Sequence, residues 1–403
     1  MNKETRTLLW LLGALYFAQG LSTGLIGTAL YWWLLDANIG LTEDLWSDIT
    51  FVALLPWGFK FVFGPLSDRF GKYRTSVIVT SIITSTTVIL LIGVPTLKSL
   101  AVLLFIHSLM KAYGDVITDG WAIALVSKGE RGAVQTVTRI GSNTGRFLGG
   151  SAMGLLSVYV SWEWCVALIS LAMLVPAVIA SLGKPKDPPK EVQTTFRETF
   201  RILGRMFADK RNLAAAAVAL LAYVHAITMN LVIPWLKSLG FTRIEGMVFM
   251  GAGVFTYVLG AIWGNKLTNA WKDNRKVAFF LGTVVLSGAY VLAGDYMATV
   301  SIICPDRVFN LVIVAAIIGV ADGIYAVTLG TIFMDVAKGI TKTKAQTTVY
   351  AVFMALISLS LLTIFPKLGS YMWDDIHTPV AVMLGGVCQL LVLIPLWGVK
   401  LER

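Results

Sequence analysis

Histidine and cysteine are scarce, three of each among 403 residues, and each shortage removes a class of chemistry. Cys165, Cys304 and Cys388 are odd in number and far apart, so they match neither a disulfide framework nor a metal-ligand spacing. Apolar packing accounts for them. His107, His225 and His377 are equally dispersed, which speaks against a multi-histidine metal site. The chain also lacks a Walker or dinucleotide glycine loop, an H-E-x-x-H helix and a G-x-S-x-G elbow. ATP-driven pumping by this chain alone is thereby disfavoured, and no cofactor and no metal are expected. An intramembrane enzyme would want a nucleophile or metal constellation that the sequence does not offer.

Charge is the third shortage. Asp, Glu, Lys and Arg make up 14% of the residues against 56% apolar ones, with a mean hydropathy of +0.75. That balance excludes a soluble two-domain enzyme and places the chain in the membrane class. The formal net charge of +10 would suggest a nucleic-acid partner until the basic residues are sorted by loop. Most fall in the N-terminus, in the loops after even-numbered apolar segments and in the C-terminus, so they report topology. By the positive-inside rule both termini are expected in the cytoplasm, with no nucleic acid bound.

Apolar segments of about 20 residues predict helices near 7–34, 46–66, 75–95, 99–126, 133–159 and 162–182, then near 212–236, 245–268, 276–297, 306–335, 345–366 and 379–399. The first run is about twice a signal-peptide core and lacks a small-residue cleavage site, so it reads as a retained helix. Between the sixes lies a basic, Pro-containing stretch whose second part, with Phe196, Phe200, Ile202, Leu203 and Phe207 among arginines, suits an amphipathic surface helix. The expected domains are a six-helix bundle over 1–182, a cytoplasmic linker over 183–211 and a second six-helix bundle over 212–403. SKGERGAVQTV from Ser127 and AKGITKTKAQTTV from Ala337 occupy the same place in each half, as in a parallel repeat with its site at the interface near the midplane.

Within these apolar segments stand ionisable residues that the bilayer penalises by about 2.5–3.5 kcal/mol each on insertion scales, so they mark a cavity or pathway. At about 100° per helical residue, Lys111, Asp115 and Asp119 fall within roughly 80° of one another and Arg139 and Arg146 within about 20°. Each helix thus carries its charges on one stripe, and Lys60 adds a fourth embedded cation. Four cations facing a cavity would hold a carboxylate or phosphate through charge-assisted hydrogen bonds, arginine in bidentate fashion, or Arg146 would simply pair with Asp115 or Asp119. Tyr16, Trp57 and Trp121 offer faces for a sugar or aryl ring, whereas Trp32 and Trp33 read as interface anchors. His225, Gln19 and Asn230 are further cavity candidates. A coupling proton needs an embedded carboxylate, since burial favours its protonated form and a nearby cation opposes this. The order of candidates is Asp119, Asp115, then Asp322 in the equivalent helix of the second half.

GPLSDRFGKYR, from Gly64 to Arg74, resembles the major facilitator superfamily signature G-x-L-x-D-R-x-G-[RK]-[RK]. The resemblance implies an all-α integral membrane protein of twelve transmembrane helices in two pseudo-symmetric six-helix bundles. It also implies that Gly64, Asp68, Arg69, Gly71 and Arg74 form the conformational latch between them. The second-half counterpart, GNKLTNAWKDNR from Gly264, lacks the acid at the matching place. GSNTGRFLGG, from Gly141, is similar to a degenerate fifth-helix glycine motif of that superfamily. LPWGFKFVFGPLSD with Lys60, DVITDGW from Asp115 and the Arg139 to Gly150 stretch resemble the muropeptide permease and acetyl-CoA transporter group, with siderophore permeases a related possibility. The combined expectation is a monomeric, multi-pass carrier of the cytoplasmic (inner) membrane. Its partners would be membrane lipid, protons and a small anionic substrate: a muropeptide-like glycopeptide, a siderophore or an acyl-CoA-like metabolite, imported by alternating access. A multidrug-type proton antiporter and a transport-inactive sensor of the same fold are the alternatives.

Overall fold

The computed structural model describes residues 3–36, 41, 43–70, 72–93, 96–125, 130–183, 195–228, 231–303, 307–341, 346–371 and 377–399. Among these there are helices and turns and no strand. That is what an apolar chain must do where no water can satisfy a backbone amide. The first half contributes α1 (Leu9–Leu35), α2 (Leu45–Ser67), α3 (Tyr73–Gly93), α4 (Leu97–Ile123) and α6 (Trp162–Leu182) as helices long and apolar enough to cross a membrane. Between them α5 is helical throughout 131–156, with a wide-turned segment over Phe147–Ala152. It has the length of a span but is too polar to qualify on composition, because Arg131, Gln135, Arg139, Asn143 and Arg146 lie within it. A surface helix, α7 (Phe196–Ala208), has its N-cap at Thr195, whose hydroxyl accepts from the Glu198 amide. There follow α8 (Lys210–Thr228), α9 (Arg243–Ala270), α10 (Arg275–Thr299), α11 (Val308–Ile340), α12 (Thr347–Gly369) and α13 (Thr378–Leu396). The described residues thus hold eleven spans by length and apolarity, plus α5.

Several helices are irregular where polar residues collect. Pro56 cannot donate into α2, and the helix breaks at Gly58–Phe59 and resumes at Lys60. The wide-turned segments Leu25–Leu30, Phe147–Ala152 and Leu359–Ile364 interrupt α1, α5 and α12, a feature common at functional positions. The span expected from 212 to 236 is helical only to Leu221, tightens over Val224–Thr228, and resumes as a short helix at Val232–Ser238.

Contacts repeat between the halves. α1 packs on α5 and α8 on α12; α2 on α4 and α9 on α11; α3 on α6 and α10 on α13. Across the halves α5 meets α9 and α2 meets α12. The α1–α5 approach is set by glycine, because a Cβ at Gly141, Gly145 or Gly149 would overlap the carbonyl oxygen of Gly13, Phe17 or Leu21 respectively. Without side chains there, the two backbones touch, as membrane helices do when small residues line the contact. Arg139 and Arg146 lie roughly 100–120° around the helix from these glycines, so their side chains leave the line of backbone contact with α1.

The halves are bridged at both ends. On the face that carries α7, Arg131 of α5 and Arg275 of α10 both donate to Asp335 of α11, with side chains 2%, 7% and 3% exposed. Near them Gln135 donates to Tyr350 at 3.2 Å and Tyr73 lies 3.4 Å from Thr347. On the opposite face Lys367 donates to Asp48 at 2.6 Å, Arg243 donates to Ser157, and the Lys237 ammonium stands 5.5 Å from the Trp32 ring.

If glycine sets the α1–α5 spacing, Gly145→Ala should force the helices apart and cost about 1–3 kcal/mol. Gly204→Ala, on exposed α7 with nothing within 4 Å of the added carbon, should leave stability unchanged or raise it by up to about 1 kcal/mol. Thermal unfolding of both variants in detergent distinguishes them; equal stability would remove the glycine contact from the account.

Candidate functional site

In the first half the charges are held by named partners. The break in α2 brings Lys60 against α4, where it donates to Asp115, with side chains 3% and 7% exposed. Trp57 lies beneath both embedded lysines, its ring centroid 4.3 Å from the Lys60 nitrogen and 5.7 Å from that of Lys111, close enough for cation–π attraction. Lys111 donates to Ser22 Oγ at 3.1 Å and to Thr23 Oγ1. The Tyr16 hydroxyl donates to Asp119. Beside this cluster, inside the first bundle, lies a cavity of about 40 Å³ lined by Gln19, Ser22, Thr80, Thr84, Lys111 and Thr118 among others. A space of that size and polarity suits water.

The arginines of α5 are arranged differently. The Nε atoms of Arg139 and Arg146 are buried without a hydrogen-bond partner, and no described carboxylate pairs with either guanidinium. The pairing of Arg146 with Asp115 or Asp119 that its position allowed is not made: Asp115 is taken by Lys60 and Asp119 by Tyr16. Both residues are half-buried. Within electrostatic range Arg139 has Asp119, Tyr16, Tyr223, Tyr257 and Tyr350, and Arg146 has Tyr223, Tyr257 and Asp322. Two cations of the first half thus face a tyrosine-rich wall of the second.

That wall is built around the unwound part of α8. A helix that stops inside the bundle frees backbone groups that side chains must then satisfy. Gln389 of α13 donates to the Ala222 carbonyl at 2.8 Å, the Tyr325 hydroxyl donates to the same oxygen, and the Tyr223 amide donates to Ser360 Oγ at 3.0 Å. His225 Nδ1 lies 2.8 Å from Gln389 Oε1, and Nε2 lies 3.3 Å from Asp322 Oδ1. Tyr290 donates to Asp322 Oδ2 at 3.4 Å.

Placement differs from expectation for several residues. Trp121 is fully buried with Leu11, Leu15, Val77, Ile117 and Ala180 and tilted against Tyr73. It is a packing residue of the first bundle, because the stripe of Lys111, Asp115 and Asp119 faces elsewhere on α4. Gly64 is where α2 touches α12, since a Cβ there would press on Thr348. Arg74 donates to the carbonyls of Ala180 and Ser181 at 2.8 and 3.0 Å. It therefore caps the end of α6 within its own half. Asn230, Gly71 and the side chains of Asp68 and Arg69 lie outside the described residues. Sequence reasoning missed Gln389, Tyr223, Tyr257, Tyr290 and Tyr325. An amide in an otherwise apolar segment is the same signal as an embedded acid, and Gln389 carried it. Arg131, Arg275 and Asp335 were also missed, the two arginines having been counted as loop charges.

Residues 12–399 match the family model described as Major Facilitator Superfamily. The chain is 28% identical over 286 residues to the anhydromuropeptide permease of Escherichia coli, covering 66% of this chain and 56% of that protein, with the same figures for a second strain. It is 23% identical over 297 residues to an uncharacterized protein of Haemophilus influenzae, covering 68% of each. The chain thus spans about half the length of the permeases it matches. The crystal structure of the human organic anion transporter MFSD10 (TETRAN) has the same fold, with a TM-score of 0.71, 14% identity, and coverage of 98% of this chain and 100% of that one.

The Lys60–Asp115 pair makes a stability prediction. Lys60→Met strands a buried carboxylate and should cost about 3–5 kcal/mol, while adding Asp115→Leu should restore most of the loss. Thermal unfolding of the single and double variants is the check, and a single variant as stable as the parent would mean that water reaches the pair.

Proposed function

The chain belongs to the Major Facilitator Superfamily, and from that premise we propose that this membrane transporter imports a bulky organic anion together with protons. The superfamily and its permease relatives make it a multi-pass inner-membrane transporter rather than an enzyme. The finer reading is supported by one observation above all: Arg139 and Arg146 lie two turns apart on one stripe of α5, making no ion pair with any described carboxylate and within electrostatic range of tyrosines of the second half. Guanidinium groups that make no hydrogen bond to a described carboxylate leave a place for an anionic ligand, and each can hold a carboxylate or phosphate with two parallel hydrogen bonds.

The location fits alternating access, in which bundles over 1–182 and 212–403, joined by a linker over 183–211, rock around a midplane site with both termini in the cytoplasm. Tyr223, Tyr257 and Tyr350 offer ring faces for a sugar or aryl group. The likeness to an anhydromuropeptide permease puts a muropeptide-like glycopeptide first among substrates, ahead of a siderophore or an acyl-CoA-like metabolite. The coupling proton rides on an embedded carboxylate. Asp115 is already neutralised by Lys60, which leaves Asp119 and Asp322. The transporter works as a monomer in the lipid bilayer.

Uptake into proteoliposomes, with and without an inward proton gradient, tests the reading against an anhydromuropeptide, ferric siderophores, acetyl-CoA and a cationic dye. Gradient-stimulated accumulation of one anion is expected. Arg146→Ala should weaken binding of that anion by about tenfold or more, the worth of a charge-assisted hydrogen bond, while the protein stays folded. Unchanged affinity in this variant would remove Arg146 from the site. Movement of the dye alone would favour an exporter, and silence from folded protein a sensor.

A further inference from the structure

The unwound part of α8 fixes more than its own backbone. The His225 amide can only donate and lies 3.4 Å from Gln389 Oε1, whereas the Ala222 carbonyl can only accept and lies 2.8 Å from Gln389 Nε2. These two fixed polarities settle which end of the Gln389 amide is oxygen. That oxygen sits 2.8 Å from His225 Nδ1. An amide oxygen has no proton to give, so Nδ1 carries one and donates it. In the neutral ring the other nitrogen, Nε2, is then bare.

Nε2 faces Asp322 Oδ1 at 3.3 Å, and Oδ1 is buried with no hydrogen bond among the described residues. Two lone-pair atoms cannot satisfy each other, and leaving a buried polar atom unsatisfied is costly. One proton satisfies both. We propose that His225 and Asp322 form a proton-binding site that holds a single proton between Nε2 and Oδ1, and that this proton decides whether Arg146 is available to an anionic substrate. The second clause rests on the reading of the chain as a proton-coupled anion carrier; the first does not.

The surroundings leave few other groups to titrate. Asp322 and His225 are faced by Tyr223 from the α8 break, Tyr257 from α9, Tyr290 from α10, Tyr325 from α11, Gln389 from α13, and Arg146 with Arg139 beside it from α5. Tyrosine hydroxyls are uncharged near neutral pH and arginines stay charged. The pair itself is what changes. With the proton it is neutral overall, whichever partner bears it; without the proton it carries one negative charge within electrostatic range of Arg146. An incoming anion must then compete with Asp322 for that guanidinium. Protonation removes the competitor, so proton and anion favour each other's binding, and the coupling is reciprocal. Its sign is that of symport: anion affinity is highest when the pair holds its proton and lower once that proton is lost.

Histidine-selective 15N NMR of the full-length protein in detergent, from about pH 5 to about pH 9, reads the proton without a transport assay. With only three histidines, His225→Gln identifies the signal. The expected result is an Nδ1 that stays protonated throughout and an Nε2 that titrates, its midpoint displaced in Asp322→Asn. A bare Nδ1, or a midpoint indifferent to Asp322→Asn, overturns the proton site. Equilibrium binding of an anhydromuropeptide is the second arm. The parent protein should lose affinity with rising pH by roughly 5–150-fold between its limits, and Asp322→Asn, which keeps the shape without the charge, should bind with flat pH dependence. A pH dependence that survives in Asp322→Asn overturns the link to Arg146 while leaving the proton site to the NMR result. Failure of the parent to bind the probe at any pH counts against the substrate class, and the titration still decides the proton site.

Discussion

Inside a bilayer a protein must satisfy its own polar groups, because neither water nor counter-ions are at hand. Most of this molecule's interior can be read as compliance with that constraint. Lys60 has Asp115, Lys111 has two hydroxyls, Asp119 has Tyr16, and Asp335 has Arg131 and Arg275. The groups freed where α8 unwinds are taken up by Gln389, Tyr325 and Ser360. Against that background the guanidinium groups of Arg139 and Arg146 are exceptions, and they are exceptions on one stripe of one helix. Single buried atoms elsewhere among the described residues also lack a partner, such as Trp32 Nε1, His107 Nε2 and Asp322 Oδ1, but the two guanidinium groups put that cost where an anionic ligand can repay it.

The glycines of α5 explain why the exception can be held in place. Their contact with the α1 carbonyl oxygens fixes the rotation of α5 as well as its distance, because only one face of the helix lacks side chains. The arginines, a quarter-turn or so away, then have one direction left, toward α9 and the unwound part of α8. The second half uses the same device, with Gly319 and Gly323 of α11 against the backbone of α9 at Gly253 and Tyr257. The halves share a packing scheme and differ in what they present, cations from one side and hydroxyls with a His–Asp pair from the other.

The fold was legible because its signal is long-range and additive. Runs of apolar residues predict spans whatever their neighbours, and the loop lysines and arginines punctuate them. The polar helix α5 was legible for the opposite reason, its arginines and glycines each repeating on one face. What could not be read were features decided by partners distant in sequence. Nothing between Ala222 and Thr228 forbids a helix; the break is favoured by Gln389 and Tyr325, about a hundred or more residues away. Arg131 and Arg275 look like any other basic residues at helix ends, and counting charges cannot tell one that stays in the headgroup region from one that folds back onto Asp335. Trp121 failed in the converse way. Its neighbours on the chain line the charged stripe, but two residues past Asp119 the helix has turned it into the apolar core.

The two ends of the interface between halves are bridged with unequal strength, and this bears on how the carrier moves. On the α7 face the Arg131–Asp335–Arg275 cluster is dry, and removing one partner from a buried pair typically costs about 3–5 kcal/mol. On the opposite face the Lys367–Asp48 pair is more open, with Asp48 64% exposed, and pairs of that kind contribute about 0–1 kcal/mol. Thermal motion therefore parts the halves more readily on the opposite face, away from α7. In the orientation proposed for the chain that face looks outward, and on that reading opening toward the outside is the less costly of the two. For the carrier to open the other way, binding at the centre must supply what the buried cluster withholds. On the proposed reading, a proton and an anion arrive at His225, at Asp322 on the helix that also carries Asp335, and at Arg146 on the helix that also carries Arg131, and so are placed to do so.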